Sequence, residues 1–292
     1  MLKIAIYYAR CSISQTGAII MGVQHKRLKS ANMPGWIDAR QSKGLYYFTR
    51  KEAFSELKPD KKVFDQAIFR LSEKSRIVSV CRGFYLIIPL EYRSWGVIPA
   101  DWFIADLMAY LKQPYYAGLL TAAGYHGASH QKPQVFHVVT NKPVRGITCK
   151  RVKIKFFLKK NIEVTPVEKR NTQTGFLNIS TPEATSLDLM RYHARAGGLG
   201  HALTVLQELG EKINPDSLVK AAKTDGCVSY AQRLGWLMGK TEYAGKALKL
   251  AKWIEGKNPV FIRLDPRLPM KQSAKDMRWH LWINTKVEGD LQ

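Results

Sequence analysis

The spacing of apolar residues changes along residues 49–88 and predicts two helices followed by two strands. Thr49 and Glu52 form a Thr-x-x-Glu capping box, which predicts a short helix that runs to about Leu57. Asp60 is placed to cap a second helix. On a helical wheel, the apolar face of this second helix holds Val63, Phe64, Ala67, Ile68 and Leu71. Two helices joined by a tight turn are typical of a helix-turn-helix.

The period then changes from 3.6 to 2, which predicts a β-hairpin. The runs 76–81 and 84–88 are rich in β-branched and aromatic residues, and Arg82-Gly83 joins them. Glycine supplies the positive φ that a tight hairpin turn requires. The order of helix, turn, helix and basic hairpin predicts a winged helix-turn-helix at residues 35–94.

One large apolar residue, Phe69, falls on the outward face of the second helix, beside polar residues such as Lys62 and Gln66. We expect Phe69 to pack on a neighbouring helix formed by residues 35–44, because buried packing is the usual fate of such a ring. Contact with a thymine methyl group is the less favoured alternative.

The chain after Pro89 mixes strand-like and helical patterns. Strands are predicted in the runs 134–140, 151–158, 162–169 and 176–180. Helices are predicted at about 102–111 with Asp101 as the cap, from Thr181-Pro182 to near Gly197, from Asn214-Pro215, and at 228–239. The fold class is therefore α+β: an N-terminal winged helix-turn-helix followed by a larger mixed α/β domain at residues 95–292. Residues 1–34 are expected to form a poorly ordered extension.

The charge of the chain narrows the class of partner. Its 292 residues contain 46 Lys and Arg against 23 Asp and Glu, a formal net charge of +23. Such an excess favours a polyanionic partner, and nucleic acid ranks ahead of an acidic membrane surface. No run approaches the roughly 18 apolar residues of a spanning helix. The four cysteines are scattered without a CxxC pair, which is typical of reduced thiols in the cytoplasm.

A winged helix-turn-helix places its second helix in the major groove and its hairpin on the flanking backbone. The predicted DNA-binding residues are Arg50, Lys51, Lys61, Lys62, Gln66, Arg70, Lys74, Arg76 and Arg82. We expect Arg70, Arg76 and Arg82 to contact phosphates and Gln66 to pair with an adenine. Small winged helices also serve as protein-binding modules, which is the alternative without DNA.

A second basic patch is predicted on the strand at 151–158. Its apolar residues alternate with bases, which places a row of cations on the solvent face. The patch consists of Lys153, Lys155, Lys159 and Lys160. It is interpreted as a solvated face or as a surface toward RNA or a protein toxin.

Several segments resemble the AbiEi family of antitoxins from abortive-infection toxin-antitoxin loci. They are YFTRKEA, IFRL with RGFYLIIPLEYR, PYYAGLLTAAGYHGASHQKPQVFHVVT, and STPEATSLDLMRY with AQRLGWLMG downstream. The resemblance implies an N-terminal winged helix that represses its own operon. It also implies a C-terminal domain that counteracts a nucleotidyltransferase-like toxin. Ser75 and Phe69 depart from the family pattern, which has glycine and a small polar residue at these positions.

Catalytic and metal-binding readings find little support. His126 and His130 are four residues apart, but Gly127 between them predicts the end of a helix, and no HExxH pattern is present. Gly197 and Gly198 are interpreted as a helix C-cap rather than a phosphate loop. Asp106 and Asp188 have no second carboxylate nearby in sequence. No catalytic residue, cofactor or metal is therefore assigned.

Two function classes remain open at this point. The favoured one is a non-enzymatic antitoxin that acts as an autoregulating transcriptional repressor in the cytoplasm, with operator DNA and a toxin as partners. The alternative is a nucleic-acid-processing enzyme, or an RNA-binding accessory protein, with a winged-helix targeting module. In the favoured reading, residues 1–94 and 95–292 are expected to carry repression and protection separately.

Overall fold

The computed structural model describes residues 32–128, 134–270 and 273–289. Residues 1–31, which hold almost all of the expected extension, lie outside the described residues. The first described element, helix α1 (Met33–Gln41), begins two residues before the expected boundary at residue 35. Within the described ranges, no helix has both the length and the apolar character needed to cross a membrane.

The N-terminal elements follow the order expected from the sequence, with one strand added. They are strand β1 (Tyr47–Thr49), helix α2 (Arg50–Leu57), helix α3 (Lys61–Glu73), strand β2 (Ile77–Cys81) and strand β3 (Phe84–Ile87). The three strands form an antiparallel sheet in the order β1-β3-β2. We call α1 through β3 the N-terminal module.

Local side-chain chemistry explains where these helices begin. The Thr49 hydroxyl accepts a hydrogen bond from the Glu52 N–H at 3.1 Å, and the Glu52 carboxylate accepts one from the Thr49 N–H at 2.6 Å. Both halves of the predicted capping box are therefore formed. Asp60 caps α3 by accepting a hydrogen bond from the Lys62 N–H at 2.8 Å. Gly83 has a φ of +80° in the hairpin turn, as the sequence predicts.

Helix α3 packs with its apolar stripe inward, but Val63 differs from the prediction in its burial and Phe69 in its packing. Phe64 and Leu71 are buried in a core shared with α1 and the sheet. Val63 was expected in this core and is instead 45% exposed, in the first turn of α3. Phe69 does not pack on α1, although α1 forms and contacts α3; its side chain is 66% exposed.

The later part of the chain is built on a mixed six-stranded sheet. Its strands are β4 (Tyr115–Ala117), β5 (Val135–Thr140), β6 (Ile147–Cys149), β7 (Val152–Leu158), β8 (Val167–Thr172) and β9 (Gly175–Ser180). Their order in the sheet is β6-β7-β5-β4-β9-β8. Residues 162–166, predicted as strand, lie outside β8. The segment 102–111 contains helix α4 (Ile104–Tyr110), which Asp101 does not cap; Asp101 accepts a hydrogen bond from the Tyr125 hydroxyl at 2.9 Å instead.

Helices cover one face of this sheet. They are α5 (Leu119–Tyr125), α6 (Pro182–Tyr192), α7 (Gly198–Leu209), α8 (Pro215–Asp225), α9 (Val228–Met238) and α10 (Leu248–Glu255). A small three-stranded sheet follows, formed by β10 (Ile262–Arg263), β11 (Ala274–Asp276) and β12 (Leu281–Ile283). Gly197 and Gly198 both have positive φ. They lie where the 3₁₀ turn after α6 meets the start of α7. The sequence patterns missed helix α7.

The two faces of the six-stranded sheet belong to two different cores. Tyr116 and Val139 face the helices α5–α10, whereas Ala117 and Val138 face the N-terminal module and α4. Phe84 and Leu86 of β3 are fully buried in this second core. Because β3 lies inside both the N-terminal sheet and this core, the N-terminal module and the later domain share packed side chains.

Polar groups also cross this shared boundary. The Tyr47 hydroxyl of β1 hydrogen-bonds to the Asp106 carboxyl of α4, and burial together with this carboxyl raises the pKa of Tyr47 to about 12. Burial raises the pKa of Asp106 as well. The boundary is therefore a packed interior with a paired polar contact, which is unlike the solvated linker between independent domains.

Candidate nucleic-acid interface

The structure brings four of the predicted DNA-binding residues to one cavity of about 550 Å³. Arg50 and Lys51 come from the start of α2, Lys61 from the start of α3, and Arg82 from the β2–β3 turn. Residues distant in sequence meet there because the hairpin folds back beside both helix N-termini. The partial positive charge of those N-termini adds to the side-chain cations. We call this site the basic cavity.

Arg50 is the most constrained cation of the basic cavity. Its guanidinium lies over the rings of Phe54 and Phe64, at 5.1 and 4.7 Å from the ring centroids. It also forms an ion pair with Asp65 at 3.0 Å. These contacts fix its position and neutralise part of its charge. Lys51, Lys61 and Arg82 are exposed and supply most of the positive field.

The outward face of α3 forms a separate open groove. Asp65, Gln66, Phe69 and Arg70 line this groove, which has a volume of about 370 Å³. Arg70 donates a hydrogen bond from Nε to the backbone carbonyl of Gln66 at 3.3 Å. Gln66 itself is exposed. Lys62 is exposed on the same helix.

Two predicted DNA-binding residues lie apart from this cluster. Lys74 is the exposed C-cap residue of α3, at the opposite end of the helix from the basic cavity. Arg76 precedes β2 and forms an ion pair with Asp38 of α1. It lies at the start of the hairpin, as the sequence predicts, and Asp38 compensates part of its charge there; its contact with a phosphate stays a prediction.

Tyr110 belongs to the site and was missed by the sequence patterns. Its hydroxyl donates a hydrogen bond to the Arg82 carbonyl at 3.0 Å, and its ring lies 5.4 Å from that of Phe84. A Cβ on Gly83 would stand 2.8 Å from the same hydroxyl. Helix α4 of the later domain therefore holds the β2–β3 turn in place. Only a tertiary contact brings Tyr110 there, so no local signal marks it.

The second predicted patch is only partly a surface. Lys153, Lys155 and Lys160 are exposed. Lys159 is 5% exposed, and its ammonium lies 3.0 Å from Asp188 and 3.1 Å from Asp225. The expected solvent-facing role of Lys159 is therefore wrong: strand β7 ends at Leu158, and the next side chain turns into the helical layer.

The surroundings of Lys159 form a closed polar network. Asp188 accepts a hydrogen bond from the Tyr116 hydroxyl at 2.6 Å, and Asp225 accepts two from Arg191 at 2.8 and 2.9 Å. Burial and the nearby Asp188 raise the pKa of Tyr116 well above its usual range. Two cations thus balance two carboxylates, and the network ties β7 to α6 and α8. Asp188 has no second carboxylate nearby in the sequence, but helix α8 brings Asp225 close to it in the fold.

A further basic groove lies between α8 and α10 and has a volume of about 370 Å³. It is lined by Asp216, Val219, Lys220, Lys223, Lys249 and Lys252. Lys249 is paired with Asp216 at 2.7 Å. The groove lies on the helical side of the six-stranded sheet, whereas the N-terminal module packs on the other side.

The His, Cys, Asp and Glu side chains were considered as possible metal ligands because His126 and His130 are four residues apart in the sequence. Across residues 32–128, 134–270 and 273–289, no group of three or more His, Cys, Asp and Glu side chains is arranged to hold a metal ion. His126 follows the end of α5, as expected, and its Nε2 lies 2.7 Å from the Ser180 carbonyl. His130 lies outside the described residues.

Comparison with known proteins shows what the later part of this chain is similar to. Residues 116–240 match the family model described as the AbiEi antitoxin C-terminal domain. The crystal structure of the RV2827C protein from Mycobacterium tuberculosis is similar with a TM-score of 0.59 and 14% sequence identity, over 84% of this chain and 89% of that chain. At that identity the likeness concerns the fold alone. No curated protein matches this chain. The family match confirms the resemblance that the sequence segments indicate: residues 116–240 of this chain are similar to the C-terminal domain of AbiEi antitoxins.

Proposed function

We propose that this antitoxin represses its own operon by binding duplex DNA through its N-terminal module, a winged helix-turn-helix. The observation that carries the proposal is the basic cavity, in which cations from α2, α3 and the β2–β3 turn converge beside the exposed face of α3. A convergent set of cations next to a polar helix face suits a phosphate backbone next to a base edge. The family match begins at residue 116, so this function is proposed from the module itself.

In this proposal each part of the module has one role on the duplex. Helix α3 enters the major groove with Gln66 toward the base edges, since an exposed amide can pair with adenine through two hydrogen bonds. Lys61, Arg70 and Arg82 neutralise phosphates on either side. Ser75 follows the C-cap of α3 and has a φ of +51°, the left-handed conformation in which a glycine fits best, so the serine adopts the backbone that the glycine of the family pattern would favour.

We further propose that the later domain counteracts a nucleotidyltransferase-like toxin. Two exposed basic regions are available for this contact or for the toxin's nucleic-acid substrate. One is the exposed lysines on and just after β7, Lys153, Lys155 and Lys160, and the other is the groove between α8 and α10. Both belong to the part of the chain outside the N-terminal module, which leaves that module free for DNA.

The proposal is tested with the full-length protein and the promoter duplex upstream of its own gene. If about five phosphates are neutralised, the logarithm of the association constant should fall with the logarithm of salt concentration at a slope of roughly −4 to −5. Replacement of Lys61, Lys62, Arg70 and Arg82 together by Ala should remove most of this slope. A flat salt response of the unmodified protein would contradict the electrostatic argument.

A matched variant in the other basic region separates the two proposed activities. This variant replaces Lys153, Lys155 and Lys160 together by Ala. It removes three cations, against four in the variant of the N-terminal module, and leaves that module intact. This variant should retain repression of a promoter reporter. The quadruple variant should lose repression but still protect cells that express the adjacent toxin. Loss of protection at normal protein levels would show that neutralisation runs through the N-terminal module.

A further inference from the structure

The exposed ring of Phe69 is the feature of α3 that the charge argument leaves unexplained. Its side chain is 66% exposed, whereas Phe64 on the same helix is 1% exposed and packs against Phe54 with a centroid distance of 4.9 Å. Helix α1, the expected cover for Phe69, packs elsewhere on α3. A large apolar side chain thus remains in water on the face that is proposed to meet DNA.

The neighbours of Phe69 argue against a protein partner at this position. Asp65, Gln66 and Arg70 line the same groove, and Glu73 lies one turn further along the helix. A single ring among polar and charged side chains offers far less apolar area than the roughly 800 Å² that each partner buries in a stable protein interface. A polar and charged surface that carries one apolar side chain is typical of a nucleic-acid contact.

Duplex DNA offers one matching apolar group in the major groove, the 5-methyl of thymine. Residues three apart on a helix lie on the same stripe, so Gln66 and Phe69 project side by side from α3. Gln66 is suited to adenine, and an adenine on either strand brings a thymine with it. Two adjacent side chains therefore match the polar edge and the methyl group of A·T-containing steps.

We propose that Phe69 is a specificity-determining residue that reads the 5-methyl group of thymine beside the adenine contacted by Gln66. This inference rests on the proposed DNA-binding function and adds to it the chemical group that is recognised. Removal of the ring from water stabilises the complex only where a methyl group covers the ring. The ring therefore selects thymine among the four bases. The cations of the basic cavity bind all sequences alike.

The experiment removes the methyl group without changing any hydrogen-bonding group. Duplexes are first selected from a random-sequence pool by the full-length protein, and the selected duplex is then made with thymine or with uracil throughout. Uracil DNA should bind about fourfold more weakly for each thymine methyl that the ring covers, the factor that one buried methyl-sized group supplies. Equal dissociation constants for the two duplexes would overturn the proposal.

Protein variants assign the discrimination to the ring. Phe69→Ala should bind the thymine and uracil duplexes equally while keeping the salt slope of the unmodified protein. Phe69→Leu should keep part of the discrimination. Val63→Ala is the matched control, since Val63 is the other exposed apolar residue of α3 among those described, and it should leave the thymine-to-uracil ratio unchanged. Full discrimination by Phe69→Ala would assign the methyl contact to another residue and overturn the proposal.

The failure of this inference is distinguishable from the failure of the proposed function. If the protein selects sequences but ignores the methyl group, only the role of Phe69 is wrong. If it selects no sequence and binds no duplex even at low salt, the DNA-binding function itself is wrong and this inference falls with it. A change of oligomeric state on Phe69→Ala, measured by light scattering, together with a thymine-to-uracil ratio of one in the unmodified protein, would identify the ring as a protein contact.

Discussion

The same kind of side chain serves opposite purposes at the start of α3 and at the end of β7. Lys61 and Lys62 are exposed at a helix N-terminus, where their charges add to a positive field. Lys159 is buried between Asp188 and Asp225, where its charge is cancelled. Lys61 and Lys62 are available to an anionic partner, whereas Lys159 pairs with carboxylates of α6 and α8 and connects these helices to the six-stranded sheet.

This difference shows that a basic residue acquires its role from tertiary neighbours. Lys159 and Lys160 are adjacent in sequence, yet one lies inside the helical layer and the other in solvent. A charge count therefore overestimates the surface that can bind nucleic acid. The comparison predicts large stability effects where cations are buried and binding effects with little loss of stability where they are exposed.

The largest effect is expected when the N-terminal module is separated from the later domain. Residues 1–94 alone would expose the inner face of β3, where Phe84 and Leu86 are fully buried in the intact chain. We expect the fragment to lose cooperative unfolding, measured by denaturant titration and hydrogen exchange. This expectation opposes the separability that the sequence suggested. A fragment that unfolds cooperatively and binds the promoter like the full chain would restore that view.

Replacement of Lys159 by Ala should have the next largest effect. It would leave Asp188 and Asp225 buried with less compensation, which costs roughly 3–5 kcal/mol in the free energy of unfolding. The adjacent Lys160→Ala is the control and should change stability by less than about 0.5 kcal/mol. Urea titration of both variants gives the difference. Similar values for the two would mean that Lys159 is not buried in solution.

A buried histidine of β5, which pairs with Lys155 of β7, gives a pH-dependent prediction. Burial and then the charge of Lys155 lower the pKa of His137 to about 4. The unfolded chain binds the proton near pH 6.5, so between these values the unfolded state holds more protons and stability falls as pH falls. The loss from pH 6.5 to 4 should be roughly 2–3 kcal/mol.

His137→Phe should remove this loss, because it keeps a ring beside Phe157, whose centroid lies 5.1 Å from that of His137. Thermal unfolding of both proteins across the same pH range measures the slope. An unchanged slope in the variant would assign the pH dependence to other groups.

The smallest effect is expected at the contact between α4 and the β2–β3 turn. Tyr110→Phe removes the hydrogen bond to the Arg82 carbonyl and should cost about 0.5–1.5 kcal/mol in stability. It should also weaken promoter binding slightly, because Arg82 is then held less firmly. Tyr125→Phe is the matched control, since it loses a comparable hydrogen bond to Asp101 away from the turn. Equal promoter affinities for the two variants would show that the turn needs no support from α4.

The parts of the fold that the sequence predicted are those set by local chemistry. The Thr49 and Asp60 caps and the Gly83 turn each depend on residues within three positions, so pattern alone placed α2, α3 and the hairpin. The exposure of Phe69 depends on where α1 docks, and the burial of Lys159 depends on Asp225, which lies on α8. The basic cavity combines both cases: its cations were predicted one by one, but their convergence and Tyr110 required the tertiary structure.

The two-sided burial of β3 also has a consequence for synthesis. The chain leaves the ribosome from its N-terminus at roughly 5–20 residues per second. The inner face of β3 belongs to the same buried core as Leu177 and Ile179 of β9, so the core around this face is complete only several seconds after β3 has been synthesised. A nascent N-terminal module therefore cannot mature ahead of the six-stranded sheet. If the N-terminal module binds its operator as proposed, every molecule able to bind it has by then also built that sheet, so promoter occupancy would report the supply of fully folded chains rather than of partial ones.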